Sequence, residues 1–337
     1  MHPKFTLLLV ILTFTLPVKA QLFPQLGGQR AGISALTFLK MDVSPRSAAV
    51  AGANICLTGD SYSTYTNPAT LAEVETFSLA GSNTFWIADI NYAYLTASTH
   101  STRAGTFGFS LSALNSGPME VRTTFQPEGT GELFYANYFT AGLSYSKRLT
   151  DQFSWGATGK YVQERLAGFV AQTGVVDLGF LYETDFKDLR FAVMVQSFGV
   201  NSTLKGTTVL DTTFNRKQLS LDSYPTPTVF MLGLSLVPWK SVDEKQSLTT
   251  LIQLNHPNDN SENIRLGLEY NYQNLLFLRA GYKINVSDQN FPTAGVGIRT
   301  RVGRHPLVFD YALDPMKYLG VVHRFGLNFS LNPEISQ

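Results

Sequence analysis

From residue 74 to residue 331 apolar and polar side chains alternate with a period of two. In the last such segment, 321–331, Phe325, Leu327, Phe329 and Leu331 share one face and Arg324, Gly326, Asn328 and Ser330 the other. The pattern recurs upstream. Phe107, Phe109 and Leu111 oppose Gly108, Ser110 and Ser112; Phe139, Ala141, Leu143 and Tyr145 oppose Thr140, Gly142 and Ser144. Val176, Leu178, Phe180 and Tyr182 oppose Asp177 and Gly179; Leu276, Leu278, Ala280 and Tyr282 oppose Arg279, Gly281 and Lys283. A period of two, not 3.6, marks strands with one face in an apolar medium and one in a polar medium.

The alternation predicts fourteen strands, near 74–84, 89–98, 104–113, 136–147, 152–164, 172–183, 188–198, 227–238, 246–255, 263–272, 275–284, 293–301, 305–313 and 320–331. An even number suits a single-chain bacterial barrel, in which lipid is the apolar medium and closure leaves no unpaired edge. The connections at 148–151, 272–274 and 302–304 are short and read as periplasmic turns. Those at 114–135, 199–226, 256–262 and 285–292 are longer, rich in Gly, Pro, Asn, Asp and Ser, and read as extracellular loops. Both termini then fall on the periplasmic side. The expected fold is all-β: a transmembrane antiparallel barrel of about fourteen strands. The competing architecture is a secreted β-sandwich, whose buried sheet faces would alternate in the same way.

The chain opens differently. Lys4 precedes an apolar run from Phe5 to Leu16, and Val18-Lys19-Ala20 fits a small-residue cleavage site. Residues 1–20 read as a secretory signal, cleaved near Ala20, rather than as an uncleaved anchor. No later run is long and apolar enough to span a bilayer as a helix. Residues 21–73 lack a clean strand pattern and are rich in small residues, as in Ser47-Ala48-Ala49-Val50-Ala51-Gly52-Ala53. They form a head, expected to occupy part of the lumen as a plug. The barrel follows over 74–331, and 332–337 is a short tail.

Composition agrees with a wall that meets lipid. Charged residues make up 15% and aromatic residues 12%, with 24 Phe and 15 Tyr. Basic and acidic residues are balanced at 26 and 25, so nothing points to nucleic acid. One cysteine, Cys56, excludes an intrachain disulfide.

Catalytic chemistry finds no foothold. There is no Gly-x-Ser-x-Gly elbow and no His-Glu-x-x-His helix. His100, His256, His305 and His323 are scattered and lack metal-ligand spacing. Gly295-Val296-Gly297 has no third glycine and reads as a strand with small lumen-facing residues. No cofactor is expected, and the chain reads as a non-enzyme.

The inward faces carry the informative chemistry. By parity Lys160, Asp177, Arg190, Arg265, Glu269, Arg279, Lys283, Arg299, Asp310 and Arg324 point into the lumen. An Arg or Lys in lipid would cost about 2–4 kcal/mol at the bilayer midplane. These groups therefore face water or one another. Either they are compensating ion pairs that stiffen the wall, or they form a contact surface for the plug or a ligand.

The head also carries a resemblance. Phe38-Leu39-Lys40-Met41, then Ser44-Pro45-Arg46-Ser47-Ala48-Ala49-Val50-Ala51-Gly52-Ala53, then Asn67-Pro68-Ala69 and Leu71-Ala72, resembles the PorV/PorQ family of Bacteroidota outer-membrane barrels. Asp89-Ile90-Asn91-Tyr92-Ala93-Tyr94, Gln126-Pro127-Glu128-Gly129-Thr130-Gly131-Glu132 and the closing Asp310-Tyr311-Ala312 with Gly320 and His323-Arg324-Phe325 agree as well. Ala51 stands where that family often has a glycine. The resemblance implies a FadL-like barrel of fourteen strands with an N-terminal plug. It also implies a non-enzymatic role in type IX secretion or surface attachment, with translocon, secreted cargo or attachment-complex proteins as partners in the outer membrane. The fold analogy alone would also allow passive transport of hydrophobic small molecules. Arg46, Asn67 and Pro68 are expected to fold the head, the proline fixing a turn and the asparagine capping it.

Overall fold

The structure is a computed structural model that describes residues 32–209, 216–243, 245–286, 289, 291–318 and 320–331. The proposed signal, 1–20, and the tail, 332–337, lie outside the described residues.

Eighteen strands are described: β1 (Phe77–Phe85), β2 (Asn91–Ser101), β3 (Gly105–Asn115), β4 (Met119–Glu120), β5 (Leu133–Phe134), β6 (Ala136–Arg148), β7 (Phe153–Leu166), β8 (Phe169–Glu183), β9 (Arg190–Gly199), β10 (Ser202–Val209), β11 (Arg216–Tyr224), β12 (Val229–Lys240), β13 (Gln246–Pro257), β14 (Asn263–Tyr272), β15 (Leu276–Ile284), β16 (Thr293–Val302), β17 (His305–Met316) and β18 (Gly320–Ser330). Fourteen of them close a barrel in the order β1-β2-β3-β6-β7-β8-β9-β12-β13-β14-β15-β16-β17-β18. Each pairs antiparallel with its neighbour. The seam joins β18 to β1, from Ser78 opposite Ser330 to Phe85 opposite His323, so no edge is left open. The closed barrel decides against the sandwich.

The alternation read from sequence is the alternation of the wall. Leu95, Phe107, Phe109, Leu143, Leu178, Phe180, Phe309, Phe325 and Leu327 are exposed on the outer face. Their sequence neighbours Thr96, Ser110, Ser144, Asp177, Asp310 and Arg324 are buried inside. The barrel has a lower rim, where β1 begins and β18 ends, and an upper rim opposite.

Two segments read as plain loops carry strands. Within 114–135, β4 pairs with β5, and within 199–226, β10 pairs with β11. β10 also joins β8, at Lys205 opposite Val170, beyond the point where β9 leaves it. Such extensions lie beyond the closed run of fourteen strands. Backbone hydrogen bonds hold them, so the apolar–polar alternation that reveals the wall need not appear. Loop length separates the rims only in part: 167–168, between β7 and β8, lies at the upper rim and is as short as the lower turns.

The segment before β1 runs inside the barrel. Its first described residues lie at the upper rim, where the Ala35 amide donates to the Pro225 carbonyl at 3.0 Å and Lys40 pairs with Asp259 at 2.7 Å. The chain therefore crosses the lumen before entering β1, and its first described end is not at the lower rim as the strand count alone suggests. Leu36, Phe38 and Leu39 fill the upper lumen against Tyr92, Tyr94 and Leu114.

Close approach of this segment to the wall is possible because the wall offers glycines. A Cβ at Gly156 would overlap the Pro68 backbone; one at Gly281, the backbone of Val50 and Ala51; one at Gly295, Ala49; one at Gly233, Ile55; one at Gly326, Pro45 and Tyr62. These glycines sit on five different strands around the barrel. Ala51 itself adopts φ 59°, a left-handed conformation costing a non-glycine residue about 1–2 kcal/mol. Gly281→Leu is expected to destabilise the folded barrel by about 1–3 kcal/mol or more through overpacking. Gly159→Leu, where a Cβ meets nothing within 4 Å, should leave stability unchanged. Urea midpoints in detergent, read by heat-modifiable gel mobility, would compare the two.

Candidate functional site

A short helix, Pro45–Ala49, starts the site. Proline occupies its first turn, and the Ser44 hydroxyl accepts from the Ser47 amide at 3.3 Å. The helix presents Arg46 to the wall. Arg46 grips Glu269 through two hydrogen bonds, Nε to Oε2 at 2.9 Å and Nη2 to Oε1 at 2.7 Å, and donates from Nη1 to the Thr58 carbonyl at 2.8 Å. Such a bidentate pair fixes geometry as well as charge.

Glu269 is shared. It lies directly opposite Arg279 in the β14–β15 ladder and also accepts from Arg279 Nε at 2.6 Å. Arg279 reaches on to Asp310, two strands away. The strand between them is β16, and its inward residue there is Gly297; a Cβ at that position would strike both Asp310 and Arg279. Asp60 completes the chain at 3.5 Å from Arg46. One continuous set of ion pairs thus runs from the inner segment across β14, β15 and β17.

A second set lies toward the upper rim. Arg265 and Lys283 are directly opposite on β14 and β15, a repulsive arrangement on its own. Each turns to another partner. Lys283 pairs with Asp314 at 3.0 Å and donates to Gln289 at 2.7 Å. Arg265 donates to the Gly52 carbonyl at 3.3 Å. Arg324, 2% exposed, lies 3.5 Å from Asp314, donates from Nε to the Asp42 carbonyl at 3.2 Å and packs over Trp86.

Two further pairs stand apart. Lys160 on β7 pairs with Asp177 on β8, both buried. The Asp177 carboxylate also accepts from the Ser197 amide at 2.7 Å, at a bulge where β9 carries extra residues and Ser197 has φ 55°. Arg190 pairs with Glu183 and donates to the Thr58 hydroxyl at 3.0 Å. Asn67 accepts from the Ala69 amide at 3.0 Å and donates to the Ile55 carbonyl at 2.8 Å, while Pro68 begins the turn it caps.

Of the inward charges named from sequence, Arg46 pairs with Glu269. Arg299 differs from the rest: its guanidinium stacks on Phe277, and no carboxylate among the described residues pairs with it. Asp314, Glu183 and Glu164 share the parity of Asp310, Asp177 and Lys160 and were legible on that ground; β17 continues to Met316, past the 313 that the sequence suggests. Asp42 and Asp60 lie in the inner segment, where no parity exists to reveal them.

The histidines pair singly: His100 with Thr106, His256 with Glu262 and His323 with Tyr311. Cys56 is buried. Among the described residues no cluster of His, Cys, Asp and Glu could hold a metal ion. A cavity of about 840 Å³ opens at the lower rim and is lined by Arg46, Asp60, Arg279, Arg299, Arg301 and Arg304 among others.

An inner segment bolted by buried charge to a closed fourteen-strand wall is the arrangement with which known proteins can be compared. Residues 25–175 match the family described as type IX secretion system protein PorV. The PorV resemblance of the sequence holds over that stretch, which includes the inner segment and the first strands. Solved structures resemble the whole barrel. The Ralstonia pickettii toluene transporter TbuX is 13% identical, with a TM-score of 0.57 over 86% of this chain and 98% of its own. The Pseudomonas putida toluene transporter TodX is 13% identical, with 0.56 over 86% and 97%. A Pseudomonas aeruginosa FadL homologue is 11% identical, with 0.53 over 86% and 98%. At these identities the likeness shows the fold alone. No curated protein matches the sequence. The chain is a closed fourteen-strand antiparallel β-barrel of FadL-like fold.

Lys160→Met would leave the Asp177 carboxylate buried without its cation. The expected loss of stability is about 3–5 kcal/mol. Lys160→Met with Asp177→Leu should lose less than that, because no charge is stranded. Urea unfolding in detergent measures both. A single variant within about 1 kcal/mol of the wild type would show that the pair carries no such weight.

Proposed function

We propose that the protein is a component of type IX secretion or of the surface attachment of secreted cargo. In this reading it is a non-catalytic barrel that binds translocon, cargo or attachment-complex proteins. The observation that carries the reading is the PorV match over residues 25–175. The interior supports it: apolar side chains of the inner segment and paired charge fill the lumen side by side. Partner contact then belongs at the upper-rim segments 114–135 and 199–226, which carry the two hairpins beyond the wall. Phe125 lies between β4 and β5 and is 94% exposed, and Leu133 and Tyr135 are exposed beside that hairpin. An aromatic presented in this way is the residue type that anchors protein interfaces.

Affinity purification of the tagged barrel from native outer membranes should recover a translocon subunit or secreted cargo, and Phe125→Ser should reduce the recovery. Recovery of neither would count against the secretion role.

The second reading is passive transport of hydrophobic small molecules, favoured by the toluene-transporter neighbours TodX and TbuX. It requires an apolar path through the barrel. Uptake of a monoaromatic or long-chain substrate by a deletion strain separates the two: transport predicts a defect that the wild-type chain restores, and the secretion role predicts none.

A further inference from the structure

The lower-rim cavity contains charge that the ion-pair sets do not use. Arg46 and Arg279 are occupied by Glu269, Asp310 and Asp60, and Glu73 pairs with Arg148. Arg299, Arg301 and Arg304 remain. All three line the cavity, and none has a carboxylate within ion-pair distance among the described residues. The acid left at the mouth is Glu75, itself exposed and without such a pair.

Their arrangement is regular. Arg299 and Arg301 are two residues apart on β16, on the inward parity, with Val308 and Pro306 as ladder partners. Arg304 follows in the turn before β17. Two residues along a strand span about 6.5–7 Å, which is also the repeat of alternate side chains in an extended peptide. The ladder thus presents cations at the spacing at which an extended chain presents every second side chain. Arg299 is further ordered by the Phe277 ring at 5.0 Å, and its Nε is buried without a hydrogen-bond partner. An unsatisfied buried donor of this kind is costly alone and is satisfied by an incoming acceptor.

We propose that this cavity binds an extended acidic peptide segment, with carboxylates at alternate positions lying along Arg299 and Arg301 and a further acid reaching Arg304 in the turn beyond. Several observations define the ligand class. Arg299 and Arg301 lie on the inward parity of β16, and all three arginines line the cavity. The cavity of about 840 Å³ is large for a single inorganic anion and lies within the usual range for a binding cleft, ~300–1,000 Å³. Arginine forks recognise carboxylates in two-point fashion, and Val308 and Pro306 give the intervening side chains an apolar wall. The site does not depend on the choice between secretion and transport.

The test uses the full chain, purified in detergent, and a fluorescent acetyl-Glu-Thr-Glu-Thr-Glu amide followed by anisotropy at low salt. The site predicts saturable binding that weakens as salt rises. It also predicts at least tenfold weaker binding of the Gln-Thr-Gln-Thr-Gln peptide and of the Glu peptide to an Arg299→Gln, Arg301→Gln variant. Gel mobility and urea midpoint confirm that the variant is folded. A peptide with the three glutamates adjacent should bind more weakly than the alternating one. Equal binding of the Glu and Gln peptides, no loss in the folded variant, or full competition by inorganic phosphate at the concentration of the peptide would overturn the proposal.

Discussion

The structure depends on a carboxylate with two owners. Glu269 belongs to the wall, yet it is held by Arg46 from the inner segment as well as by Arg279 from the next strand. A lone carboxylate facing a largely filled lumen would be costly, and so would a lone guanidinium. Each is affordable only with the other present. The same residues that keep the wall's interior electrically quiet therefore also fix where the inner segment sits. Arg279 extends the constraint to Asp310 across Gly297, so that β14, β15 and β17 are tied to one helical turn. The wall and its contents specify each other.

Charge alone would not place the segment, and backbone proximity completes it. Wall glycines at 156, 233, 281, 295 and 326 remove the side chains that would hold the segment off. The backbone groups brought inward are then satisfied by the wall: Gln253 accepts from the Asn54 and Ile55 amides at 2.8 and 3.1 Å, and Thr293 donates to the Ala49 carbonyl at 2.9 Å. In a closed barrel this accounting is strict, because polar groups that find no partner inside have little water to turn to. The outcome is a lumen filled by apolar clusters and by paired charge side by side. A space of about 840 Å³ remains at the lower rim, where arginines without a carboxylate partner among the described residues line it.

The wall was legible in the sequence because lipid imposes a rule on every spanning strand. Each residue such as Phe107 or Leu327 that faces out has neighbours such as Gly108 or Gly326 that face in. That rule also located the inward charges from Lys160 to Arg324. It failed where the rule does not act. The hairpins of β4–β5 and β10–β11 lie beyond the closed run of fourteen strands and carry no enforced alternation. Asp42 and Asp60 lie on irregular backbone, where Asp60 meets Arg46 and the Asp42 carbonyl meets Arg324, contacts set by a path through the lumen that no local pattern records. Arg301 was within reach, since it shares the face of Arg299 on β16. The direction of the inner segment, entering from the upper rim, was hidden because strand counting fixes only where β1 begins.

An inner segment held in the lumen by the Arg46–Glu269 pair should block ion flow through the barrel. Single-channel recording in planar bilayers tests it on the intact chain. The wild type should show no steady conductance, and Arg46→Met should show openings as the segment loosens. A wild-type barrel that conducts as steadily as Arg46→Met would contradict the account.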